Sequence, residues 1–301
     1  MVGASIASLD SAKADLTSSL KRPICIFTKH LQWLDYAEMA DTVAAIGLDG
    51  VDLTVRPGGH VLPENVDKDL PRAVKALEKA GVQPLMMTTR INSADSDSEM
   101  TIKTAADLGF KFYRMGYLGY EGDNIRQQLE NYQPRLEKLV RLNQQYGMHG
   151  AYQNHAGTRV GGPVWDVWYM IKNLDPRYLG CQYDVRHATV EGGYSWPVGL
   201  KLLKDHIRTT VIKDFKWMQR DDGSWHAVSV PLGEGMVDFD QYFKIIREHQ
   251  IEGPISIHYE YPVLTKEEQN WPQQKKVNRT IEVMKKDVDK LRSMLQEANL
   301  L

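Results

Sequence analysis

The sequence predicts a single (β/α)8 barrel, the TIM-barrel fold of the α/β class. Short β-forming runs alternate with helical patterns eight times between residue 24 and residue 301. This repeat suits a fold whose typical length is about 250 residues. The competing α/β fold is a doubly wound open sheet. It is disfavoured because no glycine-rich dinucleotide fingerprint follows the first run.

The eight predicted strands are short runs rich in β-branched, aromatic and other apolar residues, a composition typical of strands. In chain order they cover residues 24–28, 50–55, 83–89, 110–115, 149–154, 180–185, 209–214 and 254–260.

Helical patterns follow the strands, with apolar residues recurring at helical spacing. The predicted helices cover 36–47, 70–81, 101–109, 124–147, 165–174, 197–206, 239–249 and 277–296. Four of them end at a glycine, namely Gly47, Gly81, Gly109 and Gly147. Glycine readily adopts the left-handed conformation that closes a helix, so each of these helices can lead directly into the next strand.

The composition excludes several functional classes. The chain has 37 basic and 39 acidic residues and a net charge of −2. It therefore lacks the basic surface that binding to nucleic acids or anionic membranes requires. No apolar run approaches the roughly 20 residues that span a bilayer. The two cysteines, Cys25 and Cys181, are predicted to be buried thiols.

Residues 1–23 are predicted to form a peripheral N-terminal lead-in, and residues 24–301 the barrel. The lead-in is small, polar and weakly helical, and it lacks the apolar centre of a signal peptide. We therefore expect a cytoplasmic protein, or a periplasmic one if an export signal has been removed.

Polar residues close the last four predicted strands, and chemistry in TIM barrels takes place at these carboxyl ends. Period-two alternation puts Gln153 and His155 on one side of their strand, and His258 and Glu260 on one side of theirs. With Asp184, they form a mixed oxygen and nitrogen set that suits one divalent cation, Mn²⁺, Mg²⁺, Zn²⁺ or Co²⁺. The alternative is that they are structural groups, such as hydrogen-bonded histidines or a turn cap. We favour a functional site because packing alone does not require four strands to deliver polar groups to one face.

Six segments carry a resemblance to a known family: GVDLTVRPGGH (50–60), QNHAG (153–157), DVRHA (184–188), IKD (212–214), GEGMVDF (233–239) and IHYEY (257–261). In this order and spacing they resemble the xylose-isomerase-like barrels of the sugar phosphate isomerase/epimerase superfamily. The resemblance implies one divalent cation, held by Glu, Asp, His and Glu at the ends of strands five to eight. It also implies that a histidine three residues after the Asp contacts the substrate.

Two positions match this pattern, because Asp184 stands at the Asp and His187 at the following histidine. The other ligand positions depart from it. Gln153 replaces the first Glu, Val211 the His, and His258 the last Glu.

A rearranged cation site is therefore favoured over an empty one, with Asp184, His258 and Gln153 as ligands and Glu260 or His155 completing the shell.

The departures also change the predicted acid–base chemistry. In the related isomerases and epimerases, the two glutamates shuttle a proton through a cis-enediolate. Neither glutamate is in its place here, so another residue must act as the base. The candidates are His258, His155, Glu260 and Lys213.

The predicted substrate is a carbohydrate, because hydrogen-bonding and aromatic residues are mixed in the loops after the later strands. The candidate binding residues are His187, Arg186, Asn154, Arg114, Arg56 and Trp217. Arg56 and Arg114 suit a phosphate or a carboxylate, or they form salt bridges within the rim. Neutral and acidic sugars both stay open.

The leading hypothesis is a sugar isomerase or epimerase that uses a divalent cation to assist proton abstraction next to a carbonyl. One alternative is a keto-sugar lyase or hydratase on the same barrel, and another is a non-catalytic sugar-binding barrel. The DNA-repair branch of the superfamily is disfavoured by the net charge of −2. The last predicted helix carries apolar residues that either close the barrel or contact a partner, so we expect a monomer or a homodimer.

Overall fold

The computed structural model describes residues 22–301. Residues 1–21 of the predicted lead-in lie outside the described residues, so its boundary at residue 23 stays a prediction. Arg22 donates to the carbonyl of Gly253 at 3.1 Å and to the hydroxyl of Thr210 at 2.9 Å. These bonds tie the start of the described chain to neighbouring strands of the barrel.

Eight parallel strands form a closed barrel, which confirms the predicted fold. The strands are β1 (Ile24–Phe27), β2 (Gly50–Thr54), β3 (Gln83–Thr88), β4 (Phe112–Arg114), β5 (His149–Gln153), β6 (Leu179–Asp184), β7 (Ile207–Ile212) and β10 (Ile255–Ile257). They follow one another around the barrel in chain order, and β10 closes it by pairing with β1.

Nine α-helices lie among residues 22–301. They are α1 (Tyr36–Ile46), α2 (Val66–Lys79), α3 (Ser96–Asp107), α4 (Ile125–Tyr146), α5 (Val164–Ile171), α6 (Val185–Gly192), α7 (Trp196–Leu203), α8 (Phe239–Glu248) and α9 (Gln273–Glu297). Eight of them correspond to predicted helices. The exception is α6, which begins directly after β6 and places the DVRHA segment at a helix start.

The strand register sets the ends of β5, β6 and β7 side by side. Gln153 pairs with Gln182, and Asp184 pairs with Val211. All residues of β5 and β6 are buried, because helices cover the barrel outside and side chains fill it inside. Groups that leave these three strands at their carboxyl ends therefore meet in one small volume.

The eighth barrel strand ends earlier than predicted. It stops at Ile257, so His258 and Glu260 lie in the loop that follows it. They are still placed over the mouth of the barrel by the strand that precedes them.

An antiparallel hairpin that the sequence analysis did not predict follows β7. It consists of β8 (Asp214–Gln219) and β9 (Trp225–Val230). Gly223 in its turn has a φ of +82°, a conformation that favours glycine. The sequence signal was present, because Asp222-Gly223 is a typical hairpin turn.

Helix α9 packs against the barrel. Its residues Met284, Val288, Leu291 and Leu295 are buried within the described chain. Of the two alternatives for this helix, closure of the barrel accounts for these side chains. The oligomeric state stays a prediction.

Cys25 and Cys181 are both buried free thiols, as expected. No helix among the described residues is long and apolar enough to cross a bilayer.

Candidate active site at the mouth of the barrel

The centre of the site is the ammonium group of Lys213, the first residue after β7. Its Nζ lies 3.1 Å from Asp184 Oδ2, 3.1 Å from Glu260 Oε2 and 2.8 Å from His187 Nε2. Only 2% of the Lys213 side chain is exposed. A buried ammonium with two carboxylates and an imidazole around it is a fixed positive charge in a region of low dielectric.

Asp184 ends β6 and caps the helix that follows. Its Oδ1 accepts the backbone N–H of His187 at 3.0 Å, which satisfies a free donor at the start of α6. Its Oδ2 accepts a hydrogen bond from the Gln153 amide at 2.8 Å. The carboxylate is fully buried. It therefore joins three segments of the site, the ends of β5 and β7 and the start of α6.

Gln153 presents its amide nitrogen, not its oxygen, to Asp184. The orientation is fixed because Oε1 accepts from Arg114 Nη1 at 3.0 Å and from the Tyr117 hydroxyl at 2.7 Å. The only acceptor atom of the Gln153 side chain is thus already used by two donors.

Two neighbouring imidazoles lie on one side of the site, and one of them, His187, contacts Lys213. The rings of His155 and His187 lie 3.9 Å apart. His155 Nδ1 lies 2.8 Å from the carbonyl oxygen of Ala156. A carbonyl only accepts, so Nδ1 carries the proton and Nε2 keeps its lone pair. Burial lowers the pKa of His155 below its ordinary value, so the ring is neutral at pH 7.

Glu260 is the most accessible group around Lys213, with 28% of its side chain exposed. Burial acts to raise its pKa, but the charge of Lys213, the hydrogen bond from Lys213 and the neighbouring His187 together outweigh burial, and the pKa falls to about 2. Glu260 is therefore ionised at neutral pH.

His258 lies apart from the Asp184 carboxylate. Its ring stacks on Phe27 at 4.5 Å, and its Nε2 is 4.0 Å from Asp52 Oδ2. Its Nδ1 is 4.0 Å from Glu260 Oε1, and neither ring nitrogen has a hydrogen-bond partner among the described residues. Burial and the charge of Lys213 lower the pKa of His258 well below its ordinary range. His258 is a neutral, buried imidazole.

A sequence profile described as "Xylose isomerase-like TIM barrel" matches residues 40–287. The chain belongs to the xylose isomerase-like TIM-barrel family. The family predicted from the six sequence segments is thus confirmed. No curated protein matches this chain in sequence.

Solved structures of this fold superpose on nearly the whole chain. A D-tagatose 3-epimerase-like protein is 15% identical, has a TM-score of 0.67, and covers 92% of this chain and 98% of its own. The IolI protein, whose structure has a bound zinc atom, is 15% identical with a TM-score of 0.68 and covers 90% and 98%. The probable 3-DHS dehydratase AsbF from Bacillus anthracis is 16% identical with a TM-score of 0.63 and covers 90% and 98%. At these identities the likeness shows the fold.

The family resemblance implies a divalent cation, but the side chains present do not fit one. The Lys213 ammonium lies where Asp184 and Glu260 converge, and a second cation there would face a like charge at contact distance. Gln153 turns its N–H₂ group towards this point. Among residues 22–301, no three His, Cys, Asp or Glu side chains are arranged to hold a metal ion.

The predicted ligands Asp184, Gln153 and His258 make other contacts in the structure, and their role as ligands stays a prediction. Asp184 and Gln153 do meet, but as hydrogen-bond partners, and His258 is held against Phe27 and Asp52. The physical reason is that Lys213 and Arg114 supply the positive charges that balance these polar groups.

Two predicted substrate-binding residues have structural roles. Asn154 is fully buried, accepts from the backbone N–H of Asp184 at 2.8 Å and donates to its carbonyl at 3.0 Å. Both amide atoms make these bonds, so Asn154 joins β5 to β6, and its role in substrate binding stays a prediction. Arg186 donates to the carbonyl of Ala227 at 3.2 Å and thereby holds the hairpin.

Trp217, also predicted to bind substrate, lies on β8 of that hairpin. It is 40% exposed and meets the ring of Phe215 edge-on at 5.9 Å. Its role in substrate binding stays a prediction.

The sequence analysis missed Tyr117, Asp52 and the role of Asp214. Asp52 is a buried carboxylate inside the barrel that accepts from Thr88 at 2.8 Å and Ser256 at 2.9 Å. A charged residue within the apolar run GVDLTV was the available signal.

Asp214 accepts four backbone N–H groups, those of Phe215, Gly233, Gly235 and Val237. It fixes the GEGMVDF segment beside the site. A Cβ atom at Gly235 would collide with this carboxylate, which is why the position requires glycine.

Proposed function

We propose that the protein is a carbohydrate isomerase or epimerase that abstracts a proton next to a carbonyl group. The observation that carries this proposal is the Lys213 ammonium, buried between Asp184 and Glu260 and in contact with the His187 imidazole. A fixed positive charge next to a neutral base is the arrangement that enolate chemistry needs.

Lys213 acts on the carbonyl oxygen of the substrate, which takes the place of one of the three present partners of its N–H groups. When a carbon next to a carbonyl loses a proton, negative charge develops on that oxygen, and a preorganised cation stabilises it without reorganisation. Asp184 and Glu260 balance the charge of the ammonium and fix its position. In this proposal Lys213 takes the role that the family resemblance assigns to a divalent cation.

His155 acts as the base. Its Nε2 carries a lone pair, and the ring lies next to His187, which contacts Lys213. It removes the proton from the carbon next to the carbonyl, and the C–H electron pair forms the enediolate. The imidazolium, whose proton exchanges with solvent, then protonates the neighbouring carbon, while the hydroxyl proton of the enediolate passes to the other oxygen and the former hydroxyl becomes the carbonyl. The result is interconversion of an aldose and a ketose. Return of a proton to the opposite face of the first carbon gives an epimer instead.

A lyase is the second candidate, and the single neutral base favours it. Elimination needs one base and a leaving group next to the enolate carbon, whereas epimerisation through both faces needs two proton donors or acceptors. A barrel with His155 as its base is compatible with loss of water from a keto-sugar.

Exchange of solvent deuterium into a panel of aldoses, ketoses and keto-glycosides tests the proposal. The protein is first treated with a chelator, and proton NMR then follows loss of the signal next to the carbonyl. We expect exchange with at least one compound. A Lys213→Met or His155→Gln variant should lose at least 100-fold in rate, since general base and electrostatic groups each contribute about 10² or more.

Exposed residues provide matched controls. Lys201→Met on α7 and His249→Gln after α8 remove the same groups far from the site and should exchange at the wild-type rate. Circular dichroism verifies that each variant is folded. No exchange with any compound, together with carbohydrate binding that the site variants leave unchanged, would show that the barrel only binds sugars.

A further inference from the structure

The mouth of the barrel holds a second cationic feature, a cavity of about 540 Å³ lined by four arginines. We call it the arginine cavity. Arg56, Arg90, Arg114 and Arg159 line it together with Asn92, Gly116 and Tyr117. Four consecutive strands, β2 to β5, each contribute one arginine at or after their carboxyl end. The cavity therefore occupies the half of the mouth opposite to β6, β7 and β10, which carry Asp184, Lys213 and Glu260.

Aromatic rings, not carboxylates, contact three of these four guanidinium groups. Arg56 and Arg114 lie over the ring of Phe27 at 5.4 and 5.8 Å. Arg114 and Arg159 lie over the ring of Tyr117 at 4.9 and 4.7 Å. Stacking on a ring uses none of the N–H groups of a guanidinium, so those of Arg56 and Arg159 stay available to a ligand. Arg114 uses its Nη1 to donate to Gln153 and Tyr117, and its other N–H groups make no hydrogen bond within residues 22–301.

None of the four arginines forms an ion pair with a carboxylate of residues 22–301. The ion pairs of this part of the chain involve other cationic residues. Arg114 is only 4% exposed, and its Nε atom is buried without a hydrogen-bond partner. A ligand in the cavity or a water molecule can satisfy such a buried donor.

The arginines are close enough to repel one another. Partial burial and the positive charges of Arg114 and Arg90 lower the pKa of Arg56. Like charges in one cavity are unfavourable unless an anion occupies it. The net charge of the whole chain is −2, so the positive charge of this cavity is opposite in sign to that of the chain.

We propose that the arginine cavity binds the anionic group, a carboxylate or a phosphate, of an acidic sugar. Guanidinium forks match the planar oxygens of either group. The part of this inference that makes the sugar a substrate rests on the proposed function above.

The two halves of the mouth are directly connected. Arg114 bonds to Gln153 at 3.0 Å, Gln153 bonds to Asp184 at 2.8 Å, and Asp184 pairs with Lys213. A small sugar acid or sugar phosphate therefore has its anionic end at the arginines and its carbonyl end at Lys213. Binding of the remote anionic group orients the reacting carbons.

Calorimetric titration tests the cavity without any need for turnover. The probes are D-glucuronate, D-glucose 6-phosphate and inorganic phosphate, with D-glucose as the neutral comparison. We expect at least one anion to bind ten times more tightly than D-glucose and to weaken as sodium chloride is added. Preference for glucuronate identifies a carboxylate site, and preference for the two phosphates identifies a phosphate site.

Variants locate the binding. Arg90→Gln and Arg159→Gln, both exposed and outside the Lys213 cluster, should each weaken anion binding at least tenfold. Arg141→Gln removes an exposed arginine from the second half of α4 and should leave binding unchanged. Loss of a mutually repelling charge does not impair folding, so the melting temperatures of the cavity variants should equal or exceed that of the wild type.

The proposal is overturned if no anion binds more tightly than D-glucose, or if the cavity variants bind like Arg141→Gln. Failure here is distinguishable from failure of the proposed function. If neutral ketoses exchange deuterium but no anion binds, only the proposal of an anion site is overturned. If anions bind but no compound exchanges deuterium, only the proposed enzymatic function is overturned.

Discussion

Replacing Lys213 with alanine should turn this site into one that binds a divalent metal. The substitution removes the ammonium and leaves Asp184 Oδ2, Glu260 Oε2 and His187 Nε2 around the vacated point, at 3.1, 3.1 and 2.8 Å. Zinc binds oxygen and nitrogen at about 2.0–2.2 Å, so each donor must move inwards by roughly 0.7–1 Å. Shifts of this size are within the reach of side chains in a loop and at a helix start.

The magnitude follows from the buried charges. Removing one partner of a buried ion pair costs about 3–5 kcal/mol. The lower end applies here, because Glu260 is partly exposed and Asp184 keeps its hydrogen bonds from Gln153 and from the His187 backbone. At about 2–4 °C per kcal/mol, the variant should melt roughly 6–12 °C below the wild type. Zinc at 100 times its dissociation constant should restore about 2.7 kcal/mol.

Thermal unfolding in chelator and in added Zn²⁺ or Mn²⁺ measures the effect. We expect metal to raise the melting temperature of Lys213→Ala and to leave the wild type unchanged. Lys201→Ala, at an exposed position on α7, is the matched control and should behave like the wild type. If metal stabilises the wild type and the variant equally, the ammonium does not occupy the cation position.

Three further predictions concern stability. Burial raises the pKa of Asp287 to about 6. The folded chain therefore binds more protons than the unfolded chain between about pH 4 and 6. Its free energy of unfolding should fall by about 2 kcal/mol as the pH rises through this range. Asp287→Asn should remove this slope in urea titrations at several pH values, and an unchanged slope would contradict the assignment. Gln153→Glu restores the residue type implied by the family resemblance. It should lower the free energy of unfolding by about 1–3 kcal/mol, because it removes a hydrogen-bond donor from Asp184 and adds a like charge beside it. Urea denaturation measures the change, and a variant more stable than the wild type would refute the reasoning. Asp214→Ala should lower the free energy of unfolding by about 3 kcal/mol in the same assay, because four backbone donors lose their acceptor. Amide hydrogen exchange of residues 233–237 should become faster. Unchanged exchange would show that other contacts fix this segment.

The sequence predicted the barrel because its signals are local and repeated. Alternation of strand and helix patterns, together with glycine at several helix ends, is enough to specify eight β/α units. The same alternation placed Gln153, His155, Asp184 and Lys213 at neighbouring strand ends. The structure brings these residues together.

What the sequence did not predict depends on distances between segments far apart in the chain. Lys213 was a candidate base, and only the structure shows its ammonium between Asp184 and Glu260. Asn154 was predicted to bind substrate from its residue type and position. Only the structure shows that its amide nitrogen and oxygen both bond to the backbone of Asp184.

The arginine cavity was missed for a related reason. Arg90 and Arg159 lie in loops with no motif of their own, and their importance comes from meeting Arg56 and Arg114 across four strands.

Elemental analysis of the purified protein is the most direct test of the central claim, that the Lys213 ammonium is the cation of this site. The chain should be produced with Mn²⁺, Zn²⁺ and Co²⁺ in the medium, freed of loosely bound ions by gel filtration, and compared with Lys213→Ala. We expect far less than one metal ion per wild-type chain and bound metal in the variant. One tightly bound divalent ion per wild-type chain, lost when Asp184 is replaced, would contradict it.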